Sequence, residues 1–287
     1  MKKQTIYKHS LLLTLLFLTL SLSAQKEVQL TILHTNDTHS QIEPITRRCN
    51  TSELSEKGGY IRRATLVDNY RAKDKDLLLM DCGDFSQGTP YYNLFRGEVE
   101  VRLMSAMKYD AVALGNHEFD FGLENILRLT KMASFPILCS NADFSKTILK
   151  DAIKPYTILH KKGLKIGVFA LLPKLDGLVQ VEKMKGIVYL DPIETSNKMA
   201  KMLKEEEHCD LVICLSHLGN RASSSKAMSD ASLIKKTRNI DLVLGGHSHT
   251  FYIKPLFYNN LDGQEIANYQ MGKSGAYVGK MILTLEK

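Results

Sequence analysis

The sequence predicts an α/β fold in which two buried β-sheets lie between outer layers of helices. Strand-like and helix-like segments alternate along most of the chain, as in proteins whose sheets are covered by helices. The strand-like segments at residues 77–80 and 211–215 are continuously apolar, which is typical of strands buried on both faces. Beyond residue 250, successive strands separated by Asn-Asn and Gly turns favour a second sheet packed on the first. We therefore expect a helix–sheet–sheet–helix sandwich in a single domain.

The individual elements follow from the spacing of the apolar residues. The first strand is predicted at residues 28–34 and the first helix at 58–71, where apolar residues recur at helical spacing. A hairpin turn is predicted at the Lys-Lys-Gly sequence of residues 161–163. The other predicted strands cover residues 77–80, 111–114, 136–138, 165–171, 211–215, 242–244, 251–257, 265–271 and 276–285, and the other predicted helices cover 94–107, 123–132, 193–206 and a segment near Leu233.

Residues 1–24 have the layout of a secretory signal peptide. Lys2, Lys3 and Lys8 precede the apolar run 11–20, and the small residue Ala24 closes the segment. An uncleaved membrane anchor is the alternative, but the apolar run is shorter than the roughly 20 residues needed to span a bilayer. We therefore expect cleavage after Ala24 and a mature domain at residues 25–287 without an integral membrane anchor. The protein would be exported, and periplasmic or extracellular in a bacterium.

The charge of the chain excludes one class of partner. The formal charge of +7 at pH 7 falls to +4 without the three lysines of the predicted signal peptide. The remaining Lys and Arg residues are scattered among acidic residues, whereas a nucleic-acid-binding surface needs basic residues clustered on one face. We therefore expect no nucleic acid polymer among the partners.

The five cysteines favour free thiols over a disulfide framework. Cys82, Cys139 and Cys214 lie within or at the ends of apolar strand-like runs, where cysteine behaves as a small hydrophobic residue. A bridge between Cys209 and Cys214 is unfavourable if both lie along one strand. The sequence contains no CxxC pair of the kind that forms zinc sites. We expect mostly free, buried thiols.

Residue types that bind metals gather in five short clusters, four of which directly follow an apolar strand-like run. Because the carboxyl ends of parallel strands converge on one crevice, we expect the clusters to lie close together. Their carboxylate, amide and imidazole groups form the kind of ligand set that a pair of divalent metal ions needs. The clusters are Asp37-Thr38-His39, Gly83-Asp84, Gly115-Asn116-His117-Glu118, Ser216-His217 and Gly246-His247-Ser248-His249.

Each cluster taken alone also has an ordinary structural interpretation. Asp37 and His39 would point the same way in an extended backbone and could bind one ion, but they could equally be an exposed pair in a loop. Asp84 could bridge two mutually repelling ions, or it could be a turn former or a helix cap. A single histidine at a strand end, such as His217, is more often structural.

The third and fifth clusters carry further detail. Asn116 offers an amide oxygen, and Asp120 could orient His117 and stabilise its protonated form; alternatively, Asn116 forms a turn and His117 is merely exposed. The spacing of His247 and His249 puts both rings on one side of an extended segment. The common placement of all five clusters favours a metal site over five separate structural explanations. The histidines without such a context are His9, His34, His160 and His208.

Taken in order, the clusters resemble the signature of the calcineurin-like metallophosphoesterases. Segments 33–39, 115–120 and 245–250 are similar to those of the 5′-nucleotidases in that family, as are the late segments 269–272 and 277–279. The resemblance covers essentially the whole predicted mature chain. It implies the four-layer α-β-β-α sandwich of the family, as the N-terminal catalytic domain only.

The resemblance also implies a site with two divalent metal ions, which could be Zn, Mn, Co or Fe. His117, oriented by Asp120, would be the catalytic group beside the phosphate, and Asn116 and His117 would contact the substrate. One ion would be bound by Asp37, His39, Asp84 and His249, and the other by Asp84, Asn116, His217 and His247.

The function implied by the resemblance is a secreted hydrolase that releases phosphate from 5′-nucleotides or related small phosphomonoesters, in nucleotide catabolism or phosphate scavenging. Within the same chemistry, a 2′,3′-cyclic-nucleotide phosphodiesterase or a UDP-sugar hydrolase is the alternative. A metal-binding module without catalytic activity is an alternative of another class. Secreted 5′-nucleotidases carry a C-terminal domain that binds the base, and this chain ends at Lys287, where that domain would begin. We therefore expect either a separately encoded C-terminal-domain partner or little selectivity for the base.

Overall fold

The computed structural model describes residues 27–46, 53–220 and 228–286. The predicted signal peptide at residues 1–24 and Cys49 lie outside these ranges. Leu30–Leu283 form one compact unit, and the described residues 27–29 and 284–286 are grouped apart from it. Every helix of the described ranges is too short or too polar to cross a membrane.

The first sheet contains five strands. They are β1 (Glu27–Thr35), β2 (Leu78–Asp81), β3 (Ala111–Ala113), β4 (Ile137–Leu138) and β13 (Gly279–Glu286). Their order is β13-β1-β2-β3-β4, and β1 to β4 run parallel. Thr35 pairs with Asp81, so β1 and β2 end side by side. The carboxyl ends of the parallel strands therefore share one edge of this sheet.

The second sheet contains six strands. They are β6 (Tyr156–Lys161), β7 (Leu164–Leu171), β9 (Leu211–Ser216), β10 (Leu242–Gly245), β11 (Leu256–Asn259) and β12 (Glu265–Tyr269). Their order is β11-β12-β10-β9-β7-β6; the four inner strands run parallel, and the two edge strands are antiparallel to their neighbours. A separate antiparallel pair consists of β5 (Ala142–Asp143) and β8 (Val188–Tyr189).

Helices cover the outer face of the first sheet. Val67, Val101 and Ile126, from three different helices, share one hydrophobic core with Leu79 of β2 and Val112 of β3. The helices of the described ranges are Tyr60–Arg71, Pro90–Phe95, Glu98–Ala106, Gly122–Met132, Pro192–Lys201 and Asp230–Ile234, with 3₁₀ turns at His117–Phe119 and Val181–Met184 and a π-helical turn at Met202–Glu206.

The second sheet is covered in the same way. Ala200 and Leu233, from the last two helices, share a core with Val212 of β9. Ile213, the next residue of β9, points to the opposite face and is also fully buried. On that side the two sheets meet, since β3 contacts β7 and β9, and β4 contacts β7. The layers are therefore helix, sheet, sheet and helix, which confirms the predicted architecture.

The prediction of one helix at residues 94–107 is wrong at its start. Two helices, Pro90–Phe95 and Glu98–Ala106, are separated by Arg96 and Gly97, whose φ angles of 53° and 90° are left-handed. A β-carbon at Gly97 would lie 2.9 Å from the side chain of Leu129. The chain turns here because the backbone must pass close to the next helix, and apolar spacing does not show this.

The C-terminal strands do not form a second sheet of their own. Strands β11 and β12 join the second sheet, whereas β13 joins the first. A strand was predicted at residues 251–257, but the observed strand β11 covers only Leu256–Asn259. It begins directly after Pro255, which has no N–H to donate to a neighbouring strand. Phe251 makes only an isolated bridge with Met271. The apolar pattern therefore predicted the right type of segment but not its partners.

Two smaller predictions are confirmed. Lys162 and Gly163, with φ angles of 53° and 77°, form the hairpin turn between β6 and β7, although β6 itself was not predicted. The cysteines of the described ranges are free and buried, and they are Cys82, Cys139, Cys209 and Cys214.

Replacing Phe169 should test the core of the second sheet. The side chain is fully buried there, so Phe169→Ala should lower the free energy of unfolding by about 3–5 kcal/mol through lost burial and a cavity. Urea unfolding followed by circular dichroism measures the change. Phe257→Ala on edge strand β11, where the side chain is 58% exposed, is the matched control and should cost far less. Equal losses in the two variants would contradict this description of the core.

Candidate metal centre

The predicted site residues converge at the carboxyl ends of the parallel strands. Asp37 follows β1, Asp84 follows β2 and Asn116 follows β3 in the first sheet. His217 and His247 follow β9 and β10 in the second sheet. Because the strands of each set are parallel, these ends lie along one edge, and residues from both sheets meet there.

The first of two ligand groups consists of Asp37, His39 and His249. One candidate ligand atom from each residue lies within 4.8 Å of the other two. Nε2 of His39 is 2.9 Å from Nε2 of His249, and these nitrogens are 3.9 Å and 3.5 Å from Oδ1 of Asp37. Two imidazole nitrogens and one carboxylate oxygen therefore face a common point.

The second group consists of Asp84, His217 and His247, whose candidate ligand atoms also lie within 4.8 Å of one another. Nε2 of His217 is 3.0 Å from Oδ2 of Asp84 and 3.9 Å from Oδ1 of Asp37. One imidazole therefore lies close to a carboxylate of each group, and the two groups adjoin. The amide oxygen of Asn116 is buried nearby on the β3 loop and accepts no hydrogen bond.

The backbone brings these ligands together in a way that differs from the sequence-based expectation. Asp37 and His39 have φ angles of 49° and 46°, so they do not alternate along an extended strand. His247 and His249, with φ of 69° and 53°, face different groups instead of sharing one side. Asp84 is left-handed as well, with φ of 54°. Such non-glycine conformations are costly and persist only where surrounding contacts determine them.

Hydrogen bonds between the loops supply those contacts. The backbone N–H of Asp37 donates to the carbonyl of Gly83 at 2.9 Å, and that of His39 donates to the carbonyl of Asp84 at 3.0 Å. Gly83 itself is required, because a β-carbon there would lie 2.6 Å from the backbone nitrogen of Gly115. The loops after β1, β2 and β3 are therefore packed backbone against backbone.

The two sheets are joined at the site by polar contacts. The backbone N–H of His247 donates to both carboxylate oxygens of Asp37 at 3.0 Å. Nδ1 of His217 is 2.7 Å from the carbonyl oxygen of Cys82 and donates to it. This bond orients the ring and leaves Nε2 facing the two carboxylates, as in histidines that bind metals.

The electrostatics of the cluster fit divalent cations. Burial raises the pKa of Asp37 to about 8, so its ionised form needs a positive partner. Burial disfavours a charged His217, but Asp84 outweighs this and raises the pKa of His217 to about 10. Nε2 of His217 lies close to Oδ2 of Asp84 but makes no hydrogen bond to it. A divalent cation at this point would replace the proton of charged His217 and pair with both side chains.

The other imidazoles are already in the form that binds metal. Burial lowers the pKa of His39, His247 and His249 to about 4, so all three are neutral near pH 7. Nδ1 of His39 is buried and has no hydrogen-bond partner. Neutral imidazole nitrogens with carboxylate oxygens suit Zn, Mn, Co or Fe. The donor set therefore fits the predicted pair of divalent ions.

His117 lies beside the two groups. Its Nδ1 is 2.9 Å from Oδ2 of Asp120, and its side chain is 30% exposed. The hydrogen bond to Asp120 raises the pKa of His117 above its ordinary value. The ring packs edge-on against that of His39, with centroids 5.5 Å apart. The pair predicted from the sequence is thus formed, and its free ring nitrogen is open to a ligand.

Glu118 has a role that the sequence-based reasoning missed. Its buried carboxylate accepts hydrogen bonds from the backbone N–H groups of Asp84 (3.0 Å), Gly115 (2.7 Å) and Ser86 (3.1 Å), and from the Ser86 hydroxyl (2.8 Å). Burial, followed by the charge of Asp84, raises its pKa to about 7. Glu118 thus connects the loop after β2 to the loop after β3. The sequence feature that could have indicated this role is an acidic residue directly after Asn-His, close to Gly115.

With this geometry in place, the family follows from comparison with known proteins. Residues 30–251 match the family model described as calcineurin-like phosphoesterase. The chain belongs to that family. Membership confirms the predicted family and fold, and it supports a metal-dependent phosphoester hydrolase with a two-metal centre.

Related proteins within the family include enzymes named 5′-nucleotidase. The 5′-nucleotidase of Diplobatis ommata is 32% identical over 284 residues, covering 93% of this chain and 48% of the relative. The solved 5′-nucleotidase precursor of Thermus thermophilus is 30% identical, with a TM-score of 0.80 over 90% of this chain and 52% of that one. The calcineurin-like phosphoesterase YfkN of Bacillus subtilis is 27% identical, with a TM-score of 0.74 over 91% of this chain and 86% of that one. The chain spans about half the length of the curated relatives it matches.

Removing the Glu118 carboxylate should destabilise the fold at the site. Glu118→Ala leaves buried backbone donors without acceptors, and since each costs about 1–3 kcal/mol, the free energy of unfolding should fall by about 3 kcal/mol or more. Urea unfolding measures this loss. Glu124→Ala, at an exposed position of the following helix, is the control. A loss no larger than in the control would contradict the role given to Glu118.

Metal content should test the two ligand groups directly. Protein dialysed against Mn²⁺ should retain about two ions per chain by mass spectrometry, and a chelator should lower its melting temperature because the ions bind the folded state. His217→Ala should lose bound Mn²⁺. His160→Ala, which removes an exposed histidine of β6, should retain all of it. Equal Mn²⁺ content in the two variants would contradict the assignment of His217.

Proposed function

We propose that this chain is the catalytic domain of a two-metal phosphoester hydrolase acting on 5′-nucleotides or related small phosphomonoesters. The observation that carries the proposal is the pair of adjoining ligand groups, Asp37-His39-His249 and Asp84-His217-His247, with His117 at their side. Ions in two adjoining groups would bind phosphoryl oxygens, act as Lewis acids and lower the pKa of a bound water. Relatives named 5′-nucleotidase support the choice of substrate.

The protein residues of this site divide into those that hold the ions and those that face the substrate. Asp37, His39, Asp84 and His249 would hold one ion, and Asp84, Asn116, His217 and His247 would hold the other. The buried oxygen of Asn116 accepts no hydrogen bond, which supports its role as a ligand. The position of Asp84 next to His217 supports a shared ion between these two residues. Asn116 also contacts the substrate.

His117 is the catalytic acid in this proposal. Asp120 orients the ring through Nδ1 and favours its protonated form, so Nε2 can donate a hydrogen bond to the transferring phosphoryl group. As the bond to the leaving oxygen breaks, the same nitrogen can deliver its proton to that oxygen. His117, His39 and His249 line a pocket of about 240 Å³, which would hold the phosphoryl group.

The wider biological role extends this proposal. Residues 1–24 would be a cleaved signal peptide, and residues 25–287 the exported domain, working in the periplasm or outside a bacterial cell. Its task would be nucleotide catabolism or phosphate scavenging. A separately encoded C-terminal-domain protein would be its partner. Recovery of the native protein only as a free monomer would argue against a stable partner.

Turnover of a substrate panel should test the reaction. The Mn²⁺-, Co²⁺- or Zn²⁺-loaded protein should release phosphate from AMP and p-nitrophenyl phosphate, and more slowly from 2′,3′-cyclic AMP or UDP-glucose. In His117→Asn, kcat should fall by about 10²–10⁴-fold, the usual contribution of a general acid, while metal content is unchanged. His160→Asn is the matched control and should keep full activity.

Three outcomes of these assays are decisive. Metal-loaded wild type without turnover would overturn the proposal in favour of a metal-binding module. Faster hydrolysis of the cyclic diester or the UDP-sugar would move the substrate class to one of those alternatives. Full activity in His117→Asn would remove the role given to His117.

A further inference from the structure

Lys273 lies on a loop that is fixed to the metal centre. The backbone N–H of Ser274 donates to the carbonyl of Asp37 at 2.7 Å, and the carbonyl of Gly272 accepts from Nδ2 of Asn36 at 2.8 Å. The backbone N–H of Gly272 also donates to the carbonyl of Thr250 at 2.9 Å. The residues on both sides of Lys273 are therefore bonded to the segments that carry Asp37 and His249.

The side chain of Lys273 lines the pocket at the metal centre. His39, His117 and His249 line the same pocket of about 240 Å³, and polar groups of Gln41, Gln87, Thr89 and Ser274 complete its walls. Lys273 therefore shares one pocket with His249, a predicted metal ligand, and with His117, the predicted catalytic group.

Within residues 27–46, 53–220 and 228–286, no carboxylate lies within ion-pair distance of the amine of Lys273. Among these residues, its charge therefore has no anionic partner. The carboxylates of the metal centre are buried and already engaged: Asp37 and Asp84 lie within the ligand groups, and Glu118 accepts backbone hydrogen bonds. A flexible cation at the mouth of a pocket, without an anionic partner, is suited to an anionic ligand.

We infer that Lys273 binds the phosphoryl group of the substrate and makes the site selective for doubly charged terminal phosphates. This inference rests on the proposed function. The ammonium group would supply a charge-assisted hydrogen bond to a phosphoryl oxygen. Lys273 is then a specificity-determining residue contributed by this chain itself, independent of any partner.

Selectivity follows from the charge of the ligand. A phosphomonoester carries two negative charges on its terminal phosphate when fully ionised, whereas a phosphodiester carries one. Since Coulomb attraction scales with the charge of the ligand, Lys273 favours the monoester more than the diester. It therefore favours 5′-nucleotides over cyclic nucleotides at the same metal centre.

Binding and turnover of Lys273→Met measure this contribution. With Mn²⁺-loaded protein, kcat/KM for p-nitrophenyl phosphate should fall by about tenfold to a hundredfold, the range of a hydrogen bond to a charged group, mainly through a higher KM. Inorganic phosphate, titrated by calorimetry, should bind more weakly by a similar factor. For bis(p-nitrophenyl) phosphate, a singly charged diester, kcat/KM should fall much less. Lys273→Arg should retain most of the monoester activity, because it keeps the charge.

The matched control is Lys150→Met, which removes one exposed positive charge away from the pocket and should leave all three values unchanged. Unchanged phosphate affinity and monoester kcat/KM in Lys273→Met would overturn the inference, as would equal losses for monoester and diester. The proposed function fails separately, through a wild-type protein that binds Mn²⁺ but hydrolyses neither ester. In that case, phosphate binding by calorimetry still tests Lys273.

Discussion

Two carboxylates buried at the junction of two sheets set the main constraint on this structure. Asp37 and Asp84 are 0% and 2% exposed, and an unpaired buried carboxylate costs several kcal/mol. The fold satisfies part of this demand, since Asp37 accepts from the backbone of His247 and Asp84 accepts from the backbone of His117. The remaining oxygen capacity points at imidazole nitrogens that have few partners of their own. Binding of cations at this point would therefore stabilise the fold as well as create the site.

This constraint explains why the surrounding loops are strained and tightly packed. Left-handed backbone at non-glycine residues is costly, yet Asp37, Asp84 and His247 all adopt it to turn their side chains inward at the strand ends. The cost is offset by hydrogen bonds between loops and by Glu118, which accepts three backbone donors from two of them. The candidate ligands come from two sheets. Their geometry is maintained because hydrogen bonds join each loop to a neighbouring loop, in addition to the contacts within each loop.

Part of this arrangement is predictable from the sequence, and part of it is not. Apolar runs predicted the strands that carry Asp84, His217 and His247, because parallel strands buried on both faces leave a clear pattern. The family resemblance also implied which residues would lie together, and the two groups Asp37-His39-His249 and Asp84-His217-His247 do so. The left-handed turns were not predictable, since they depend on contacts such as the Asp37 N–H bond to Gly83, a residue distant in sequence. Glu118 was overlooked for the same reason: its partners become visible only when the loops are placed side by side.

In the proposed function, the site would separate chemistry from selectivity. Asp37, Asp84 and His217 are buried and braced within the two sheets, so their arrangement follows from the fold. His117 and Lys273 lie at the accessible side, on a 3₁₀ turn and a connecting loop. A loop residue can change without disturbing the sheets, whereas a buried ligand cannot. Family membership therefore predicts the ligand set more firmly than the substrate. The choice among phosphoesters depends on the charges that such loops bring to the mouth of the pocket, and Lys273 is the residue through which this chain would make that choice.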